Sequence, residues 1–245
     1  MGLIRVVALS AALASPLAAQ VQPQWEVHDT LRTLPRIVSV RGGPSDAIVL
    51  FDGRDLSEWR SVRGGAAPWQ VRDGFVEVVP GSGDIETARG FGDVQLHIEW
   101  ATPAEVSGEG QGRGNSGVFL MGLYELQILD SHENRTYADG QAGALYGQHP
   151  PLVNVSRSPG EWQTYDIVFR RPRFDSTMGA VLSPARMTVL HNGVLVQDNV
   201  ELLGATAHRR RATYTAHADR LPIKLQDHGN RTRFRNVWAR ELEQP

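Results

Sequence analysis

The sequence contains no cysteine. That absence excludes disulfides, thiolate metal sites, a cysteine nucleophile and a lipid-modified cysteine anchor. It also contains neither an HExxH pair nor a GxSxG nucleophile elbow, so zinc-protease and serine-hydrolase motifs are missing. No EF-hand loop is present, and glycine-rich pieces such as Gly112-Arg113-Gly114 do not open a helix, which weakens a phosphate-cradle reading. Charge of one sign is lacking too. The 25 basic and 27 acidic residues are intermixed and leave a net charge of -2. This argues against nucleic acid or an anionic membrane as the main partner. The one basic cluster, Arg209, Arg210 and Arg211, reads as a solvated loop.

Long apolar runs are confined to the N-terminus. Arg5 gives a positive start, residues 6–17 are apolar apart from Ser10, Ser15 and Pro16, and Ala18 and Ala19 place small residues at a cleavage point. Pro16 and the glutamines at 20, 22 and 24 end the run short of the ~20 apolar residues that a spanning helix needs. Residues 1–19 are therefore expected to be an export signal, with a periplasmic or secreted product and no membrane partner after its removal. Residues 20–46 read as an extended N-terminal segment and 47–243 as one domain, long enough to bury a core without staples.

What is abundant is period-2 alternation punctuated by Gly, Pro, Asn and Asp. Strands are expected at 48–51, 69–72, 75–79, 93–101, 116–121, 123–129, 162–170, 185–191, 194–200, 223–228 and 232–242. Asn192-Gly193 between two apolar runs predicts a type I′ hairpin turn. The fold class is thus all-β, a sandwich of two antiparallel sheets. Residues 107–114 (SGEGQGRG) read as a flexible loop. Residues 130–161 hold too many large side chains for disorder and read as an ordered lid or rim.

Alternation also sorts side chains by face. Along LHIEW, His97 and Glu99 oppose Leu96, Ile98 and Trp100. Along YELQIL, Glu125 and Gln127 oppose Leu126 and Ile128. Along IKLQDH, Lys224, Gln226 and His228 oppose Ile223 and Leu225. If the three strands share a sheet, these polar rows meet on one wet surface, walled by the loops around Asn115 and Tyr146. Tyr124, Tyr137, Tyr146 and Trp162 are candidates for an exposed aromatic platform, whereas Trp59, Trp69, Trp100 and Trp238 are assigned to the core. No close histidine pair has metal-ligand spacing, so no catalytic metal is expected and no cofactor is required. Asp130, Glu133 and Asp139 leave room for a structural Ca²⁺ in the long loop.

Several of these pieces, in order, resemble the 3-keto-disaccharide hydrolase domain family. They are FDGRDLSEW (51–59), GNSGV (114–118), YELQILD (124–130), GALY (143–146), PGEW (159–162), PIKLQDHG (222–229) and FRNVW (234–238). The resemblance covers residues 48–242 and implies a concanavalin A-like jelly-roll sandwich acting on sugars oxidised at the third carbon. A ketone at C3 acidifies the C2 hydrogen and places the C1 oxygen β to the carbonyl, so the bond breaks by elimination through an enolate. That chemistry needs a base, an enolate stabiliser and an acid for the departing oxygen. From facing and chemistry, Glu125 is assigned as base and Lys224 with His228 as enolate stabilisers. Glu99 or Asp130 is assigned as acid. Asn115, Gln127, Gln226, His97 and Tyr146 are expected to hold the carbohydrate substrate. Two alternatives stay open: a laminarinase-type glycosidase, which needs two carboxylates ~5 Å apart, and a non-catalytic carbohydrate-binding module.

Overall fold

The computed structural model describes residues 35–40 and 43–242. The export signal expected over 1–19 and most of the expected N-terminal segment lie outside the described residues. The strands are β1 (Ile48–Phe51), β2 (Trp59–Ser61), β3 (Gln70–Arg72), β4 (Phe75–Glu77), β5 (Ile85–Phe91), β6 (Val94–Ala101), β7 (Ser116–Leu120), β8 (Tyr124–Ile128), β9 (Gln163–Arg170), β10 (Arg173–Phe174), β11 (Val181–Ser183), β12 (Arg186–His191), β13 (Val194–Glu201), β14 (Leu221–Leu225) and β15 (Arg233–Glu241).

All pairings are antiparallel and gather into two main sheets. The larger runs β13-β12-β9-β6-β15-β4-β3, with β1 also on β15; the smaller runs β2-β5-β14-β7-β8. A two-stranded ribbon, β10-β11, stands apart. The expected all-β sandwich is therefore present. Its interior is built by the alternation visible in the sequence. Leu96, Ile98 and Trp100 of β6 and Tyr165, Ile167 and Phe169 of β9 are fully buried. From the smaller sheet come Val118, Leu120, Leu126, Ile128, Ile223 and Leu225. Each such aliphatic or aromatic side chain contributes roughly 1.5–3 kcal/mol by leaving water.

Hairpin chemistry follows the sequence as well. Asn192 and Gly193 have φ of 52° and 79°, and Asp73 and Gly74 have φ of 52° and 79°, the doubly left-handed pattern of a type I′ turn. The strands absent from the sequence reading are β2, β5, β10 and β11. In β5 the inward series Ile85, Thr87, Phe91 is broken by Arg89 and Gly90. Thr87 is nonetheless buried because its hydroxyl donates to the Arg89 carbonyl and accepts the Ile223 N–H.

Two aromatic assignments need correction. Tyr124 is no platform: it has the parity of Leu126 and Ile128, is 1% exposed, and bonds His217 Nε2 through its hydroxyl at 2.8 Å. Trp238 is not core: it lies half-buried on the outer face of the larger sheet, stacked on His97 with ring centroids 5.2 Å apart. Ahead of β1, Ser45 N–H bonds the Ser39 carbonyl at 2.9 Å and Asp46 pairs with Arg240 at 2.7 Å, so this stretch turns back against β15. No helix among the described residues is long and apolar enough to cross a membrane.

Adjacent residues of β9 test the facing. Ile167 is fully buried and Val168 is 37% exposed. Ile167→Ala is expected to cost about 2–5 kcal/mol in denaturant unfolding. Val168→Ala is expected to cost no more than about 0.5 kcal/mol. Equal losses would contradict the assigned faces.

Candidate functional site

Strand register assembles a polar row across the smaller sheet, on the face turned away from the core. Glu125 of β8 sits opposite Phe119 of β7, Phe119 opposite Lys224 of β14, Lys224 opposite Glu86 of β5, and Glu86 opposite Arg60 of β2. One row along, Gln127 lies opposite Gly117. Gly117 matters through what it lacks. A Cβ there would lie 2.8 Å from Glu125 Oε1 and 2.9 Å from the Phe119 ring, so the space of the missing side chain is filled by the carboxyl group.

An outward-facing edge strand would ordinarily be wet, yet Glu125 and Gln127 are only 5% and 1% exposed. The long segment after β8 explains this. It folds back alongside the strand, with Gly143 N–H on the Gln127 carbonyl, Gln127 N–H on the Ala144 carbonyl, and Tyr146 N–H on the Glu125 carbonyl. The Glu125 N–H is taken by Thr206 Oγ1 at 3.0 Å. This is the ordered rim expected for 130–161. The loop at 107–114, expected to be flexible, is instead ordered, because Asn134 accepts the Gly110 N–H and donates to its carbonyl.

Between sheet and rim lies a cavity of about 400 Å³. The lining includes a cluster of amides. Asn115 Nδ2 donates to the Gln111 carbonyl at 2.7 Å, and Gln127 Nε2 donates to Gln111 Oε1 at 3.1 Å. Gln127 Oε1 and, just past the end of β14, Gln226 Oε1 are buried with no hydrogen-bond partner among the described residues. Phenols and an imidazole line it as well, with Gln111 next to the Tyr137 ring. The Tyr146 hydroxyl is 2.6 Å from that of Tyr137 and 3.1 Å from His208 Nδ1. Glu125 and Phe119 also line it, as does the exposed His228.

The electrostatics centre on Glu125. Its carboxyl makes no hydrogen bond among the described residues, and burial pushes its pKa from 4.5 up to about 8. Lys224 pulls the value down and Asp84 pushes it up. Burial, the Tyr137 hydrogen bond and the nearby acidic charges raise the Tyr146 phenol, which therefore stays protonated at neutral pH.

Six of the expected residues thus surround one cavity: Glu125, Asn115, Gln127, Tyr146, Gln226 and His228. Lys224 shares the row but does not line the space. Its ammonium rests 4.0 Å over the Phe119 ring and 3.2 Å from Asp84, which hold it back from the cavity. His97 and Glu99 are elsewhere. They belong to β6 in the larger sheet, and the expectation of one shared surface fails because both sheets have a polar outer face. Burial favours a raised Glu99 pKa, but hydrogen bonds from Asn236 and Arg235 outweigh it and hold the group low. His97 Nδ1 meets Asp166 at 2.7 Å. Asp130 is 3% exposed and ion-paired with Arg113 at 2.6 Å, beside a separate cavity lined by Arg113 and Asn230. Among the described residues no three His, Asp or Glu side chains gather as a metal set, so Asp130, Glu133 and Asp139 do not form one.

Trp162, another platform candidate, lies on the larger sheet beneath Arg235, whose guanidinium is 4.1 Å from its ring. The reading missed Gln111, Thr206 and His208 and left Tyr137 only as an aromatic. All four come from irregular segments, where no periodicity reports facing; the sole signal for Gln111 was its glycine neighbours.

The family model for the 3-keto-alpha-glucoside-1,2-lyase-like domain matches residues 46–240. A crystal structure from Parabacteroides distasonis ATCC 8503, of a protein provisionally named a glycosyl hydrolase, is 45% identical with a TM-score of 0.84, covering 88% of this chain and 95% of that one. Two more from the same organism carry the same provisional name. They are 19% and 20% identical, with TM-scores of 0.59 and 0.54, covering 80% and 76% of this chain and 94% and 100% of theirs, and they share the fold. No curated protein matches the chain.

The Glu125 shift carries a stability signature. The folded chain holds this proton more tightly than the unfolded chain, so burial of the carboxyl is unpenalised below about pH 4.5 and increasingly costly as pH rises toward about 8. Glu125→Gln is therefore expected to melt higher than the parent at pH 9, with the difference vanishing near pH 4. A pH-independent difference would mean that the group titrates normally.

Proposed function

This chain belongs to the 3-keto-alpha-glucoside-1,2-lyase-like domain family, and on that footing we propose that it cleaves the glycosidic bond of 3-keto-glycosides by removing the C2 proton and expelling the C1 substituent. One observation carries the reading: a lone carboxyl group, buried and without a hydrogen-bond partner among the described residues, faces a polar cavity of sugar size. A carboxylate whose proton affinity is raised toward neutral pH is a stronger base than a solvated one, and it suits abstraction from carbon next to a ketone.

In this reading Glu125 takes the C2 proton. The electron pair moves to the C3 oxygen as an enolate, which in this reading the Gln226 amide N–H and His228, both lining the cavity, stabilise. The enolate then collapses, a C1–C2 double bond forms, and the C1 oxygen leaves with its bonding pair. The protonated Tyr146 hydroxyl, linked to Tyr137 and His208, supplies the proton for that oxygen. This role passes to Tyr146 because Glu99 and Asp130 are engaged away from the cavity. Addition of water across the double bond would regenerate a 3-keto sugar. Gln111, Asn115 and Gln127 present donors and acceptors to the ring hydroxyls, and the unused Gln127 Oε1 is an acceptor awaiting a hydroxyl. Lys224, screened by Phe119, acts on Glu125 through its field.

A two-carboxylate glycosidase is disfavoured, since Glu125 is the one carboxylate among the described residues lining the cavity. Paired glucosides, one normal and one oxidised at C3, test the reading. Cleavage confined to the keto form, with C2 deuterium exchange in D₂O, is expected. Cleavage of the normal glucoside would replace this mechanism with ordinary glycoside hydrolysis, and binding without turnover would point to a carbohydrate-binding module. Glu125→Gln is expected to lower kcat by about 10²–10⁴-fold, with folding intact. The kcat/KM profile of the parent should rise with pH to a midpoint near 8, as Glu125 ionises. A profile flat from pH 6 to 9 would remove Glu125 from the base role.

A further inference from the structure

A second, larger cavity of about 730 Å³ adjoins the first and shares Gln111, Tyr137, Tyr146 and His208 with it. Its far wall is the segment after Ala207, where Arg209, Arg210 and Arg211 all line the space. A turn presents them: Arg210 N–H bonds the Ala207 carbonyl, and Arg209 adopts a left-handed φ of 54°. All three arginines are exposed, so their charge faces solvent as well as the cavity. None of the three makes an ion pair among the described residues. Asp139 is the one carboxylate facing the same cavity, so the pocket carries a surplus of positive charge. Leu203 and Ala212 supply apolar wall between the charges.

The position of this pocket gives the charge a use. Tyr146 and His208 form its boundary with the inner cavity, at the point where the reaction proposed above would release the C1 oxygen. Whatever is attached to that oxygen must extend past these two side chains and into the arginine-lined space. We propose that the outer pocket receives the departing group of the substrate and selects departing groups that bear a negative charge, such as a carboxylate, sulfate or phosphate. The proposal rests on the reading of the inner cavity as the site for the 3-keto sugar. Guanidinium groups suit this task, because their planar forks match the oxygens of such anions and stay ionised at every working pH.

The test uses the full chain and two aryl 3-keto-glucosides that differ only in carrying a carboxylate or a carboxamide on the ring. Comparing each substrate between parent and variant cancels differences in leaving-group ability. The triple variant Arg209→Gln, Arg210→Gln, Arg211→Gln is expected to lose about tenfold in kcat/KM on the carboxylate, a size typical of a few exposed charge pairs acting together. It should stay within about twofold on the carboxamide. Replacement of all three by Lys should recover most of the loss, and raising the salt should erode the carboxylate preference of the parent. Equal effects on both substrates, or none on either, would overturn the charge-selecting role. If the parent turns over neither compound, the reading of the inner cavity fails instead. Titration calorimetry then decides the outer pocket alone, with tighter binding of the carboxylate glucoside lost in the Gln variant as the supporting result and identical binding of both compounds as the refuting one.

Discussion

The carboxyl group of Glu125 is withheld from water without being given a partner, and the surrounding architecture serves to keep it so. Burying an ionisable group unpaired is among the more expensive things a fold does. Here the register of β7 against β8 delivers Glu125 to a face that would otherwise be solvated, and the rim laid along β8 removes the solvent. Gly117 leaves the volume into which the carboxyl leans. Lys224 is the nearest obvious counter-ion on the row, and direct contact would return the carboxyl to an ordinary low affinity for protons. The Phe119 ring and the Asp84 carboxylate hold its ammonium at a distance, so it tempers the shift without abolishing it.

The rest of the cavity lining is of two chemical kinds. Amides supply both donors and acceptors, as a hydroxylated ring needs. Phenols and an imidazole are linked to one another by hydrogen bonds among Tyr137, Tyr146 and His208. The two buried amide oxygens with nothing to accept, on Gln127 and Gln226, are costly in a chain at rest and sensible in one that awaits a hydroxylated ligand. The larger sheet shows the contrast. Its outer row of Glu99, Arg235, His97 and Asp166 is rich in charge, but each group already has a partner, so it reads as a satisfied surface.

Much of this was legible in the sequence, because period-2 patterns report the parity of a side chain. Glu125 and Gln127 on β8, and Lys224 and Gln226 at β14, were assigned to the outer face from that rule alone. The same rule would have placed Tyr124 in the core with Leu126 and Ile128. What parity does not carry is the identity of the sheet. His97 and Glu99 satisfy the same pattern as Glu125 and Gln127, yet β6 pairs with β9 and β15 in the other layer. Long-range pairing decides that, and no local signal encodes it. Loop residues escaped for a related reason: Gln111, Thr206 and His208 reach the cavity through turns fixed by individual hydrogen bonds. Asp130 looked catalytic beside the YELQI strand. It became structural only because Arg113, far enough along the chain to be invisible to pattern, arrives at its carboxylate.

The rim has an effect beyond drying the cavity. β8 is the last strand of its sheet, and such an edge offers free backbone donors and acceptors to any passing chain. Residues Gly143, Ala144 and Tyr146 already occupy those groups, and Leu126 and Leu145 form a bridge as a strand pair would. The polypeptide has in effect completed its own ladder. Loosening the rim would therefore do two kinds of harm at once, admitting water to the buried acid and exposing a template on which copies of the molecule can polymerise.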